Sequence, residues 1–455
     1  MEYNSAIMIR SLLIILLLLG TCQPVPKSSD SYRLQFHPDG NLYIGDQISM
    51  EIIPTQGQDN NGKQVRVDFE GTELSVAEFS PSGVGQRDQA TFWWVLDSSG
   101  LEAGEHELGF SILPGGPSWI ESFYLFPEKQ APYPDSAWET ANTDCCVLHY
   151  ISGTDAARDI AGLSTIVDDQ AADVAAALDS RFHESINITF IPKLVGHGGF
   201  ASDGIYVSYL DDNITGNITS QVVHHEMVHI LDASLGKGRK PSILVEGLAV
   251  YLSNGHYKQE DLLQRAASLF AMDAYIPFNE LIMDFYGQQH EIGYLEAGAL
   301  IEYLVSLYGW NAFRDFYNII DLDGDHESAM ESALVQVFDT DLQDLENDFI
   351  AFLKSQEVDD AIRNDLELTV AFFDSLRLYQ KKLKPSTHFA TAWLPDGSSM
   401  KEHGIVADYL RSRIGLDVLI FEYLLRTSSS LIENNEFVEA GRVIGLVNLL
   451  LYIIP

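Results

Sequence analysis

The chain is short of cysteine, short of basic residues, and without any apolar run long enough to cross a bilayer; each shortage removes a class of protein. Three cysteines in 455 residues, Cys22, Cys145 and Cys146, cannot build a disulfide framework. The last two are neighbours whose spacing matches no zinc site, so buried thiols are the default for them and a vicinal disulfide is the alternative. Lysine and arginine number 27 against 66 aspartates and glutamates, a formal net charge of -39. A surface of that sign repels a phosphate backbone and argues against nucleic acid as a partner. It suits an extracellular or salty setting, or serves solubility alone. The apolar runs Leu12 to Leu19 and Val443 to Ile454 both fall short of the roughly 20 residues of a spanning helix. Stability therefore comes from burial, and 46% hydrophobic residues in a chain of this length supply core for two or three domains.

Residues 1–22 read as an export signal. Arg10 precedes the Leu12 to Leu19 run, and Leu19-Gly20-Thr21-Cys22 resembles a bacterial lipoprotein box, in which the cysteine is lipidated and becomes the new N-terminus. Thr21 departs from the small residue usual before that cysteine, and ordinary signal cleavage with secretion is the alternative. Residues 23–31 then form a tether. Both readings put the chain outside the cytoplasm, with the membrane reached only through a lipid on Cys22.

From residue 32 to 128 apolar residues alternate at period two, as in Ile48, Met50, Ile52 and Val65, Val67, Phe69, with Gly, Pro or Asp turns every ten residues or so. This pattern predicts an all-β sandwich similar to immunoglobulin-like modules but lacking their disulfide. Residues 129–144, holding Pro132 and Pro134, form the expected linker. Residues 145–355 mix strands with helices, and 356–455 are expected to be a C-terminal α-helical region of antiparallel hairpins without nominated functional residues. Asp321-Leu322-Asp323-Gly324-Asp325 imitates a calcium loop, but its glycine comes too early and Ser332 replaces the closing Glu. Gly236-Lys237-Gly238 reads as a basic surface turn.

The chemistry is concentrated in His225-Glu226-Met227-Val228-His229. Histidines four apart on a helix lie one turn above each other, so both can ligate one metal ion, with Glu226 beside it as a candidate general base. The helix is bounded by Thr219 or Ser220 as cap and Gly236 as stop, with Val222, Val223, Met227, Val228, Ile230 and Leu231 as apolar positions. A second helix opens at Pro241-Ser242, closes at Asn254-Gly255, and carries Glu246. A helix, short turn and helix would bring Glu246 back to the two histidines. No histidine stands six residues after His229, where Leu235 sits, which excludes the metzincin pattern.

With these residues in view, the segment from about 147 to 355 resembles a gluzincin of the peptidase MA type, distantly similar to thermolysin and the aminopeptidase N family. The resemblance rests on the His-Glu-x-x-His motif, on Pro241 to Tyr251 with its Glu246-Gly247, and on Tyr294-Leu295-Glu296-Ala297-Gly298 with Tyr308-Gly309. It implies an α+β zincin-like catalytic domain over 145–355 with Zn2+ held by His225, His229 and Glu246. Val250 departs from the family pattern, which has an acidic residue four after the ligand Glu. Asp232 is the replacement partner for a ligand histidine, or a solvated residue of the last helical turn.

In such a site Glu226 takes a proton from water and passes it to the leaving amine, and a downstream Tyr or His of the family steadies the oxyanion. Tyr294 stands in the right region; the alternative is an ordinary packed tyrosine. His224 points about 100 degrees off the ligand face. His290-Glu291 begins a second motif, but Tyr294 occupies its closing position. The glycine-rich stretch 195–201, with His197, is either a turn that lets a substrate backbone approach the neighbouring strand edge or a plain loop. The expected function is an exported zinc peptidase acting on peptide or protein substrate. It is read as an endopeptidase, because no Gly-Ala-Met-Glu-Asn-like amine-docking element precedes the helix. The alternative is a cell-surface binding protein with a non-catalytic zinc site.

Overall fold

The computed structural model describes residues 31–454 except 56, 197, 217, 236–238, 257, 322–325 and 414. The export signal with Cys22, most of the tether, His197, the basic turn and the calcium-like loop lie outside the described residues. By their internal contacts the residues form two units. One runs to Asp135 and includes Ala390–Phe421; the other is Ser136–Phe389 with the residues from Glu422 onward.

The first unit holds β1 (Tyr32–His37), β2 (Leu42–Tyr43), β3 (Gln47–Pro54), β4 (Gln64–Phe69), β5 (Thr72–Glu78), β6 (Ser80–Ser82), β7 (Arg87–Asp97), β8 (Gly104–Leu113) and β9 (Ser118–Phe126). They make a four-stranded sheet in the order β1-β3-β7-β6 and a five-stranded sheet in the order β2-β9-β8-β4-β5. Period-two alternation does the work: Ile48, Met50, Ile52 and Phe92 of one sheet meet Val65, Val67, Phe110, Ile112 and Leu125 of the other in a single core. Residues 390–421 also belong here, so the expected single helical region over 356–455 is divided between the units. The reason lies in particular side chains. Trp393 stacks on His37 at 3.7 Å, and Arg411 pairs with Asp46 at 2.5 Å, contacts with no periodic trace in the sequence.

The second unit is α+β. Its sheet comprises β10 (Trp138–Asn142), β11 (Cys146–Ile151), β12 (Ile186–Ile191), β13 (Gly199–Ala201) and β14 (Ile205–Ser208), in the order β10-β11-β12-β14-β13. β11, β12 and β14 are parallel, and both edge strands are antiparallel to their neighbours. β10 falls inside the stretch 129–144 expected as linker; a short edge strand of mixed polarity leaves little pattern. β13 likewise emerges from the glycine-rich stretch. Cys145 and Cys146 form a vicinal disulfide, the alternative to the default of free thiols.

Helices follow: α1 (Asp155–Ala177), α2 (Thr219–Leu235), α3 (Ser242–Ser253), α4 (Leu262–Ala271), α5 (Phe278–Met283), α6 (His290–Tyr308), α7 (Trp310–Ile319), α8 (His326–Phe338), α9 (Leu342–Lys354), α10 (Asp360–Leu383), α11 (Leu416–Glu433), whose residues to Phe421 count with the first unit, and α12 (Phe437–Ile453). In α1 the buried Leu163, Val167, Ala171 and Val174 recur every three or four residues, the stripe of a helix lying on a sheet. α3 starts behind Pro241 and ends on Asn254 in the left-handed region (φ 59), as its sequence predicts. No helix among the described residues is long and apolar enough to cross a membrane.

Small residues set the closeness of α3 and α6. A Cβ on Gly247 would stand 2.6 Å from the Ala297 carbonyl oxygen, and one on Gly298 would stand 2.4 Å from Val250 Cγ1. Val250 is therefore a packing position against Gly298, which accounts for the missing acidic residue there. The glycine beside the acidic Glu246 lets α3 sink against α6 and fixes the carboxylate's depth.

Candidate metal centre

His225 and His229 project from one face of α2, as the four-residue spacing requires, while Val222, Val223, Met227, Val228 and Leu231 are buried. Glu246 comes from the following helix. His225 Nε2 and His229 Nε2 stand 3.1 Å apart, and each is 3.3 Å from Glu246 Oε2. Tetrahedral ligands at zinc distances of about 2.0–2.1 Å lie roughly 3.3–3.4 Å from one another. The triangle thus fits one such ion with no change of backbone, and two neutral imidazoles with one carboxylate are the borderline donor set zinc prefers. These three residues hold the cation if one is bound.

The surroundings restrain the carboxylate and leave one histidine nitrogen over. Tyr286, on the short turn between α5 and α6, donates to Glu246 Oε1 at 2.6 Å, which leaves Oε2 facing the imidazoles. His225 Nδ1 is buried without a hydrogen-bond partner among the described residues. Asp232 accepts from Tyr317 at 2.7 Å and contributes its charge near His229; among the described residues no hydrogen bond joins it to a ligand. It is half-buried rather than solvated. His224 turns aside to Gln170 at 2.9 Å, as the helix phase predicts.

Electrostatics in the cation-free site reflect three tightly packed ionisable groups. Burial pushes His225 down to about 4. Against the cost of burial, the carboxylates of Glu246, Glu226 and Asp232 pull His229 up to about 9. Against the same cost, the two imidazoles hold Glu246 well below the usual carboxylate range. One proton therefore resides on the histidine pair near neutrality, on His229, in the place a cation would take. Burial pushes Glu226 up to about 7, with Glu246 adding and His229 opposing. A carboxyl poised there can both accept and release a proton at neutral pH.

Tyr294 lies on α6 beside the site, its ring 6.2 Å from that of His225. Burial, with the Glu246 charge adding, raises its phenol well above the ordinary value, so it is a neutral donor. β13 runs against the motif helix: a Cβ on Gly199 would stand 2.4 Å from Val222 Cγ1 and 3.3 Å from Glu226 Oε1. An edge strand thus passes directly over the general-base candidate. Tyr286 and His256 were not nominated from the sequence. His256 follows the Asn254-Gly255 cap, a local signal for position; its 3.4 Å approach to Glu291 spans 35 residues and has none.

No family model matches the sequence, and no curated protein matches it. Among solved structures the chain is similar to an aminopeptidase N family protein from Idiomarina loihiensis, with 10% identity, 72% of this chain and 77% of that chain covered, and a TM-score of 0.31. At that score the likeness bears on neither fold nor chemistry.

Proposed function

We propose that this chain is a zinc-dependent peptidase that hydrolyses internal peptide bonds. The observation that carries the reading is the triangle of His225, His229 and Glu246 donor atoms at 3.1 to 3.3 Å, with the buried carboxyl of Glu226 on the same helix. A zinc ion bound there supplies Lewis acidity, drawing electron density from a water molecule and from the scissile carbonyl.

The remaining work belongs to the chain's own side chains. Glu226 accepts a proton from the attacking water as its oxygen bonds to the carbonyl carbon. It then gives that proton to the amide nitrogen as the carbon–nitrogen bond breaks, so water is consumed and an amine and a carboxylic acid are produced, the acid passing its own proton on to the amine to leave a carboxylate and an ammonium. Tyr294, held neutral, offers a hydrogen bond to the oxyanion. Tyr286 fixes the Glu246 carboxylate through its second oxygen. The edge strand β13 offers backbone groups to an extended peptide on both sides of the cleavage point, which favours endopeptidase over aminopeptidase action. The chain is further proposed to be exported, with Cys22 carrying a lipid anchor.

The test pairs metal with turnover. Glu226→Gln is expected to retain zinc while hydrolysis of a peptide library falls about 100- to 10,000-fold. Undiminished cleavage by that variant overturns the role of Glu226. Zinc binding without cleavage by the wild-type chain points instead to a surface binding protein with a non-catalytic site.

A further inference from the structure

A second group of metal-ligating side chains lies beside the first and shares no residue with it. The rings of His256, His290 and Tyr294 meet at centroid separations of 4.1, 4.3 and 5.0 Å. Against them, Glu291 turns Oε1 to the Arg377 guanidinium at 3.2 Å and Oε2 to His256 Nδ1 at 3.4 Å. One ligand atom from each of His256, His290 and Glu291 lies within 4.8 Å of the others.

We infer that His256, His290 and Glu291 form a second divalent-cation site, for zinc or a similar borderline metal. Two imidazoles and one carboxylate are poor partners for calcium or magnesium, which take six or more oxygens, and good ones for zinc, nickel or copper. The 3.4 Å between His256 Nδ1 and Glu291 Oε2 already equals the spacing of tetrahedral zinc ligands, about 3.4 Å. Arg377 occupies the other oxygen of Glu291, so the carboxylate presents a single oxygen in a fixed direction, as partners of ligating carboxylates commonly arrange. His290 opens α6, partly buried with its ring stacked on Tyr294, and offers the third ligand atom. The looser spacing and the neighbouring guanidinium make this the weaker of the two sites. The inference does not depend on the peptidase reading.

The test counts metal. The full chain is stripped with a chelator, titrated with zinc against a chromophoric competitor, and its bound metal counted by plasma emission after desalting. The wild type is expected to take two equivalents, one tight and one weaker. His229→Ala keeps the weaker one, whereas His290→Ala and Glu291→Gln each keep the tight one and weaken the other at least tenfold. Glu291 is buried against Arg377, so if its variant fails to fold, the less deeply buried His290 position decides. A single wild-type equivalent that His229→Ala abolishes overturns the second site, as does a second equivalent that survives His290→Ala. If His229→Ala leaves both equivalents in place while His290→Ala removes one, the peptidase centre fails and the second site stands.

Discussion

Zinc should enter the His225, His229 and Glu246 centre by displacing a proton, and the structure sets the size of that exchange. Two imidazole nitrogens 3.1 Å apart cannot both be protonated, and the surrounding carboxylates hold the one proton on His229 up to about 9. At pH 7, two units lower, about 99% of the cation-free sites carry it. The metal requires that nitrogen's lone pair, so apparent zinc affinity should rise about tenfold per pH unit from 7 to 9 and level off above. Calorimetric titration at pH 8 in buffers of different ionisation enthalpy should show release of about one proton per tightly bound zinc. Below pH 7 the release should grow, because Glu226, near 7 without metal, also gives up its proton beside a cation. Glu226→Gln should abolish that extra release and leave the one at pH 8. The same shift gives a stability prediction with a definite sign. A histidine raised above its unfolded value of about 6.5 stabilises the cation-free fold fully below that pH and loses its contribution as pH rises through 9. The stripped chain should therefore weaken between pH 7 and 9, and the zinc-loaded chain should not follow it. Zinc affinity independent of pH from 7 to 9, or equal proton release in His229→Ala, would refute the reasoning.

Other outcomes follow from single contacts. Tyr286→Phe removes the 2.6 Å bond to Glu246 Oε1 and should weaken zinc binding about 10- to 100-fold, while the half-exposed ring leaves the melting temperature of the stripped chain nearly unchanged. Glu296 is fully buried, accepts from the Ile276 N–H at 2.8 Å through one oxygen, and has no partner for the other among the described residues; burial, with Glu346 adding, raises its carboxyl well above the ordinary value. Glu296→Gln keeps the acceptor and removes the cost of a charge, so it should gain about 1 kcal/mol or more at pH 7. That gain should shrink as pH falls toward 4.5, where wild-type Glu296 is neutral at no cost, and denaturant titrations at both pH values read it. Gly199→Ala would place a Cβ 2.4 Å from Val222 Cγ1, costing about 1–3 kcal/mol, and should depress peptide cleavage with zinc retained; Val222→Ala in the same chain should recover part of both losses.

Local chemistry was legible in the sequence, and distant pairing was not. The face shared by His225 and His229 is fixed by helix geometry. The span of α3 is marked by Pro241 and Asn254, so the approach of Glu246 follows from two helices and a short turn. Strands such as β4 and β9 show because one face of each is the more buried, whereas β3 is buried on both faces. Helix α6 hides its phase, since Ile292 through Ile301 are all buried and no polar side marks a direction; Tyr294 could be placed near the site but not aimed. The Tyr286 bond to Glu246, the His256 approach to Glu291 and the seating of Trp393 on His37 join residues far apart in the chain, each through one side-chain pair without a repeating pattern. β13 is three residues long, too short for alternation to distinguish it from the glycine-rich turn around it.

The most direct test is X-ray absorption on the full chain carrying His290→Ala, which removes a ligand of the second site, loaded with one equivalent of zinc, with and without the added change His229→Ala. The account predicts a first shell of nitrogen and oxygen only, at about 2.0–2.1 Å, with outer-shell scattering from two imidazoles that falls to one in His229→Ala. A sulfur ligand, or a spectrum that His229→Ala leaves unchanged, would contradict it.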